Sequence, residues 1–386
     1  IKFIQGEDNG FLKVNTIDHS MGNNILVLAN SIIGLHSFRK EVVKAMVDNG
    51  YVVYLAFPDK DERAKYFEQI DCKYVDVKFD RRGMNPIKDL KLLLDYIKVI
   101  KRIKPVAVLT YTIKPNVYGG IAAAYCGVPL LANVTGLGDA VENKGFLGKL
   151  TVFLYKLGLR KANTVFFQNN SNLKFCVDSG IVVQEQSCLL PGSGVNTSYH
   201  VYQEYPTDNI IKFLFIARLL KDKGTEEYFE TAKIIKEKYP NTEFQILGYC
   251  DDGKYQTQLD ELTKAGVINF LGCATDVRPY IGDVYCTIMP SYHEGLSNVN
   301  LESEANGRPV ITTKVPGCKE TVDDGITGYL CDARSTQDLT DKVEKFINLS
   351  YEEKKQMGLN ARRKVEREFE RQIIVDAYLK TIKILQ

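Results

Sequence analysis

Two carboxylates eight residues apart, Glu294 and Glu302, lie in the run Pro290-Ser291-Tyr292-His293-Glu294-Gly295-Leu296-Ser297-Asn298-Val299-Asn300-Leu301-Glu302. The run follows a strand-like stretch at 285–289, so Glu294 falls in a strand-to-helix loop and Glu302 about one turn into the next helix. Ionised carboxylates accept hydrogen bonds from paired hydroxyls, which makes a sugar or a ribose a natural ligand. Gly295 lets backbone N–H groups approach an anion closely. A second loop, Ala217-Arg218-Leu219-Leu220-Lys221-Asp222-Lys223-Gly224, follows a strand at 211–216. Arg218 offers a planar fork to phosphate oxygens, Lys223 a movable point charge, and the next helix the partial positive charge of its N-terminus. That combination suits a diphosphate whose departing negative charge is stabilised without a metal. Taken singly, each feature has a plainer reading: a solvated basic turn, and a helix-terminal glutamate facing the dipole.

The N-terminal half supplies three more post-strand loops. Ser31-Ile32-Ile33-Gly34-Leu35-His36-Ser37-Phe38-Arg39 has Gly34 at its turn, and His36 suits either a base or a capping and packing residue. Tyr111-Thr112-Ile113-Lys114-Pro115-Asn116 places Lys114 at a cleft, and Asn133-Val134-Thr135-Gly136-Leu137-Gly138 brings Thr135 and Gly136 there. Arg39, His36, Lys114, Thr135 and Gly136 are therefore the candidate acceptor-side residues.

Strand-like runs at 25–29, 52–57, 106–110, 129–133 and 164–168 alternate with helical stretches at 37–49, 86–103 and 116–126. Such alternation predicts a doubly wound parallel α/β sheet. The pattern breaks at Pro191-Gly192-Ser193-Gly194 and restarts, with strands at 211–216, 243–247, 267–271, 285–289 and 309–313 and an all-helical end. We expect two Rossmann-like domains facing across a cleft, 21–192 and 193–370, with a helix at about 371–386 crossing back to the first. Residues 1–20 are set aside as a leader or appended segment, with Met21 the expected start. Ligands of such sheets bind at the carboxyl ends of the strands, where all these loops lie.

The run E-G-L-S-N-V-N-L-E, followed by Ala305-Asn306-Gly307-Arg308-Pro309-Val310, resembles the E-x7-E signature of retaining GT-B glycosyltransferases of family four. The loop from Arg218 to Lys223-Gly224 is similar to that family's phosphate-binding element. The resemblance implies that Glu294 lies against the donor sugar, Glu302 holds the ribose hydroxyls, and Arg218 and Lys223 neutralise the diphosphate. It also implies that backbone amides around Gly295, Leu296, Ser297 and Asn298 meet the diphosphate or sugar, that Gly248 lies by the nucleobase, and that Gly34 lets its loop pass the donor phosphates. N-V-T-G-L-G and L-P-G-S-G-V-N resemble enzymes that extend polyprenyl-diphosphate-linked sugars in bacterial surface-glycan assembly. The implied donor is a UDP-sugar carrying an N-acetylhexosamine or hexose, with no metal cofactor. A non-hydrolysing UDP-sugar epimerase shares the architecture and is the alternative.

The 386 residues carry 50 Lys+Arg against 48 Asp+Glu, a net charge of +2 that gives no global case for nucleic-acid binding. Nine scattered cysteines without a CxxC pair read as reduced thiols, not as a zinc site or disulfide framework. GxGxxG and GxxxxGK[ST] are both missing from the phosphate-type loop, against dinucleotide oxidoreductases and P-loop enzymes. No apolar run approaches the ~18 residues of a membrane span. Between 143 and 177, however, Lys144, Lys149, Lys156, Arg160, Lys161 and Lys174 stand without a single acid. Lys149, Lys156 and Arg160 share a helical stripe beside Phe146, Leu150, Phe153 and Leu157. That pattern suits either a helix packed on its sheet or one lying on an anionic membrane. The resemblance tips it toward the membrane, at the inner face of a bacterial cell.

Overall fold

The computed structural model describes residues 22–80, 85–137, 145–250 and 253–385. Segment 1–20, Met21, Gly138 and Lys144 lie outside the described residues. Seven parallel strands form the first sheet, in the order β3-β2-β1-β4-β5-β6-β7. They are β1 (Asn24–Leu28), β2 (Val52–Phe57), β3 (Lys73–Asp76), β4 (Ala107–Tyr111), β5 (Leu130–Val134), β6 (Thr164–Phe167) and β7 (Ser187–Leu189). Alternate residues of β1 enter opposite cores, Leu26 and Leu28 one and Ile25 and Val27 the other, because helices cover both faces. The edge strands β3 and β7 escape a reading for apolar runs because they are short and partly exposed.

Six parallel strands form the second sheet, in the order β10-β9-β8-β11-β12-β13. They are β8 (Ile211–Arg218), β9 (Thr242–Tyr249), β10 (Ile268–Phe270), β11 (Cys286–Met289), β12 (Val310–Thr313) and β13 (Gly328–Cys331). Chain order reverses beside β1 and β4 in one sheet and beside β8 and β11 in the other. Those are the switch points where open α/β sheets leave a crevice.

Helices α1 (Ile32–Asp48), α2 (Ala64–Gln69), α3 (Pro86–Ile103), α4 (Gly120–Cys126), α5 (Phe146–Leu159) and α6 (Asn170–Asp178) cover the first sheet. The second carries α7 (Thr225–Lys238), α8 (Gln256–Lys264), α9 (Arg278–Gly282), α10 (Asn298–Ala305), α11 (Thr336–Ile347) and α12 (Tyr351–Glu368). Helix α1 begins five residues before the expected 37, because Ser31 caps it, its Oγ accepting from Ile33 N at 3.2 Å. The last helix, α13 (Arg371–Ile384), returns to the first lobe. There Ile374, Val375, Tyr378 and Ile382 join the core of Val43, Met46 and Leu109. The two crossing segments between lobes are bonded to each other: Val195 N donates to Phe369 O at 2.8 Å and Arg371 N to Val195 O at 3.0 Å.

Candidate active site

Two loops at the carboxyl edge of the second sheet are fastened together. Gly224, at φ 73°, sits so close to Pro290 that a Cβ there would lie 2.2 Å from the Pro290 carbonyl. Tyr292 N donates to Asp222 O at 2.8 Å, and Tyr292 OH donates to Glu227 Oε1 at 2.7 Å, from the first turn of α7. The result brings Lys223 Nζ to 2.7 Å from Glu294 Oε1, each side chain 19% exposed. Arg218 closes β8, opposite Tyr249 in the register. A cation and a carboxylate from loops 71 residues apart thus meet in one half-buried place.

The loop after β12 supports the acidic side. Ser297 N donates to Gly317 O at 2.7 Å, and Gly317 (φ 84°) leaves no room for a Cβ beside the Glu294 carbonyl. Ser297 caps α10, accepting from Asn300 N, so the partial positive end of that helix faces the loop. Glu302 lies one turn in. Burial pushes its carboxyl up to about 7, against the lowering influence of Arg371. Two residues on, Glu304 is fully buried with neither oxygen hydrogen-bonded, and burial raises its carboxyl well above the ordinary range.

The first lobe meets this loop directly. A Cβ on Gly295 would lie 1.9 Å from the Thr135 carbonyl and 2.6 Å from the Gln168 amide. Its small size is therefore demanded by the opposite lobe, a different reason from the anion approach expected of it. With its amide turned to suit both neighbours, Gln168 donates to Thr135 O at 3.2 Å and accepts from Arg39 Nη2 at 3.2 Å. Arg39 is 4% exposed and lies over the Tyr111 ring at 5.2 Å. Arg39 and Thr135 thus gather at the lobe contact.

The other expected residues have surroundings of their own. Gly34 belongs to the first turn of α1, not to a loop, although space is open where its Cβ would be, as it is beside Gly136. His36 stands edge-on to Tyr66 at 5.4 Å and to Phe67 at 6.1 Å; burial and then Lys40 lower its pKa. Its ring contacts make it a packing residue between α1 and α2. Lys114 is engaged by Asp89 at 2.7 Å, which Tyr118 OH also reaches at 2.9 Å, so α3 takes up its charge. Gly248 is required by its strand, since a Cβ would lie 1.9 Å from Ala217 O, and its N–H goes to Gly272 O. The Leu296 side chain turns away into an apolar cluster with Val195, Leu301 and Phe369, leaving only its backbone for a ligand. Asn298 is the first residue of α10. Sequence reasoning missed Asn169, Gln168 and Arg371, because their partners are remote in the chain.

The model described as glycosyl transferases group 1 matches residues 203–364, and glycosyl transferase 4-like matches 24–169. The chain is a glycosyltransferase with the GT-B fold. This glycosyltransferase is 26% identical over 373 residues to the N,N'-diacetylbacillosaminyl-diphospho-undecaprenol α-1,3-N-acetylgalactosaminyltransferase of Campylobacter jejuni, covering 92% of this chain and 96% of that one. It is 26% identical over 284 residues to the UDP-Gal:α-D-GlcNAc-diphosphoundecaprenol α-1,3-galactosyltransferase of Escherichia coli, covering 69% and 71%. In fold it matches Anabaena HepE, crystallised with UDP and glucose, at TM-score 0.77 and 17% identity, covering 93% of this chain and 99% of that one. These relatives are named for the extension of undecaprenol-diphosphate-linked glycans, and a Staphylococcus aureus relative, 27% identical over 330 residues, for capsular polysaccharide biosynthesis.

Proposed function

We propose that this enzyme transfers an N-acetylhexosamine or hexose from a UDP-sugar to a polyprenyl-diphosphate-linked saccharide, retaining the anomeric configuration and using no metal. The observation that carries the reading is the Lys223–Glu294 pair beside the carboxyl end of β8, in the crevice where the lobes meet. The donor diphosphate would draw Lys223 and Arg218 to its oxygens, leaving Glu294 to accept hydrogen bonds from the sugar. Positive groups preplaced where negative charge develops are the strongest single aid to such a departure. The bond from C1 to the diphosphate breaks as an acceptor oxygen attacks C1 on the same face. The acceptor proton passes to the departing phosphate oxygen, which closes the proton balance without a base on the protein. Glu302 would take the ribose hydroxyls.

An anionic lipid acceptor fits the outer surface of α5. Its packing face is Gly148, Tyr155, Gly158 and Leu159, with Gly158 against the backbone of Asn116 and Val117. Phe146 (83% exposed), Leu150, Phe153 and Leu157 consequently face outward, beside exposed Lys149, Lys156 and Arg160. On α3, which flanks α4 on the other side, Ile87, Leu90 and Leu94 are also exposed. No described helix is long and apolar enough to cross a membrane. We place the enzyme peripherally, on the inner face of the bacterial cell membrane.

The test is turnover of UDP-sugars with short polyprenyl-diphosphate saccharides, with and without chelator, reading product anomeric configuration by NMR. Transfer with retention, undiminished by chelator, is expected. An isomerised UDP-sugar formed without acceptor would instead identify the epimerase chemistry.

A further inference from the structure

Asn169 is the second residue after β6 and is 2% exposed. Its Oδ1 accepts from Asn172 N at 2.8 Å, capping α6 within the first lobe. Its Nδ2 crosses to the second lobe, donating to Gly295 O at 2.7 Å and to Glu294 O at 3.3 Å. The orientation of the amide is fixed by these partners: a turned amide would set nitrogen against an N–H and oxygen against two carbonyls. One side chain therefore ends a helix of one lobe and grips the backbone of the Glu294 residue in the other. Beside it, Gly295 allows the Thr135 carbonyl to approach as closely as it does.

We propose that Asn169 is a positioning residue, a latch that holds the acidic loop against the first lobe so that Glu294 meets donor and acceptor only when the lobes are closed. The proposal rests on the reading of Glu294 as the donor-sugar residue. The phosphate-binding groups Arg218 and Lys223 belong wholly to the second lobe, so the latch acts on turnover far more than on donor capture. Buried amide-to-carbonyl bonds are short-range and directional, so even a slight opening of the lobes breaks both.

Asn169→Asp keeps an oxygen that can cap α6 and has no N–H to give the two carbonyls, while Asn169→Ser keeps a capping oxygen on a shorter side chain whose single hydroxyl replaces the amide that reached both. Gly295→Ala attacks the same contact from the other lobe. Small-angle X-ray scattering on the full chain should give a larger radius of gyration for all three than for wild type, with Tm within a few degrees for the two Asn169 variants. Titration calorimetry should find UDP-sugar affinity of Asn169→Ser and Asn169→Asp within about threefold of wild type, while kcat falls about tenfold or more. Scattering identical to wild type in all three variants overturns the latch, whatever Glu294 does. Wild-type kcat in variants that do open overturns its link to the reaction. Failure of the underlying reading shows differently, as full transfer by Glu294→Ala.

Discussion

Lys223 and Glu294 pair at 2.7 Å, so a diphosphate that binds Lys223 must compete with the carboxylate for its charge. In the proposed reaction, removing Lys223 or Arg218 deletes positive charge at the departing phosphate, where a single electrostatic contact accounts for about two to three decades of rate. Lys223→Ala and Arg218→Ala should each lower kcat by about a hundredfold or more, with Tm shifted by only about 2–4 °C. Steady-state kinetics beside thermal melts checks this, and near-wild-type rates in both would remove the phosphate role. Glu302 yields a pH prediction. Its folded pKa, about 7, exceeds the ordinary 4.5, so its contribution to stability is full below 4.5 and is lost as pH rises through about 7. If Glu302 holds the ribose as proposed, its hydroxyls bind the ionised form, so donor affinity should move the opposite way. UDP-sugar affinity should rise by up to about tenfold per pH unit below 7 and then level off. Glu302→Gln should bind more weakly at pH 8 and show a flat profile; calorimetry across pH 5–8 checks both.

At the scale of elements, the chain spells its motifs more clearly than its surfaces. The loops after β8 and β11 are legible because their chemistry lies in consecutive residues, and the strands are legible because both faces are buried. Helix α5 is different. Its sequence carries an apolar stripe that a packed helix would turn inward, yet glycines at 148 and 158 make the other side the packing face. A Cβ on Gly120 would lie 2.1 Å from Gly158 O, so α4 and α5 meet backbone to backbone at that point. Phe146, Leu150, Phe153 and Leu157 are left outside, next to Lys149 and Lys156. An apolar stripe bordered by lysines gains affinity for anionic lipid from both area and charge, about 1 kcal/mol per basic residue. Lys149→Glu, Lys156→Glu and Arg160→Glu combined should abolish flotation with anionic liposomes. Phe146→Ser with Phe153→Ser should weaken it even at low salt, where charge alone is strongest. Undiminished flotation in both sets would assign the stripe some other partner.

Over the whole molecule, the decisive contacts join residues far apart in sequence, which is why no local pattern shows them. Arg371 opens α13 as the chain crosses back. It donates to Glu41 Oε2 at 2.7 Å and to Gly194 O at 3.2 and 3.0 Å, so one guanidinium ties α1 to the outgoing crossing segment. Asn196 reaches the same Glu41 carboxylate at 3.3 Å, which ties in the other crossing residue. The side chain is buried, and breaking such a pair costs about 3–5 kcal/mol because the remaining charge is stranded. Arg371 also lowers the pKa of Glu302, so the joint between the lobes and the carboxylate we propose for the ribose share one positive charge. Arg371→Ala should therefore be strongly destabilised. It should also shift the rise of UDP-sugar affinity to higher pH, because Glu302 loses the charge that favours its ionised form. Glu41→Gln separates the two effects. It weakens the joint while leaving Arg371 beside Glu302, so it should lower Tm without moving the affinity profile upward. Melting curves and pH-dependent calorimetry on both variants check this, and an unmoved profile in Arg371→Ala would disconnect the joint from the site.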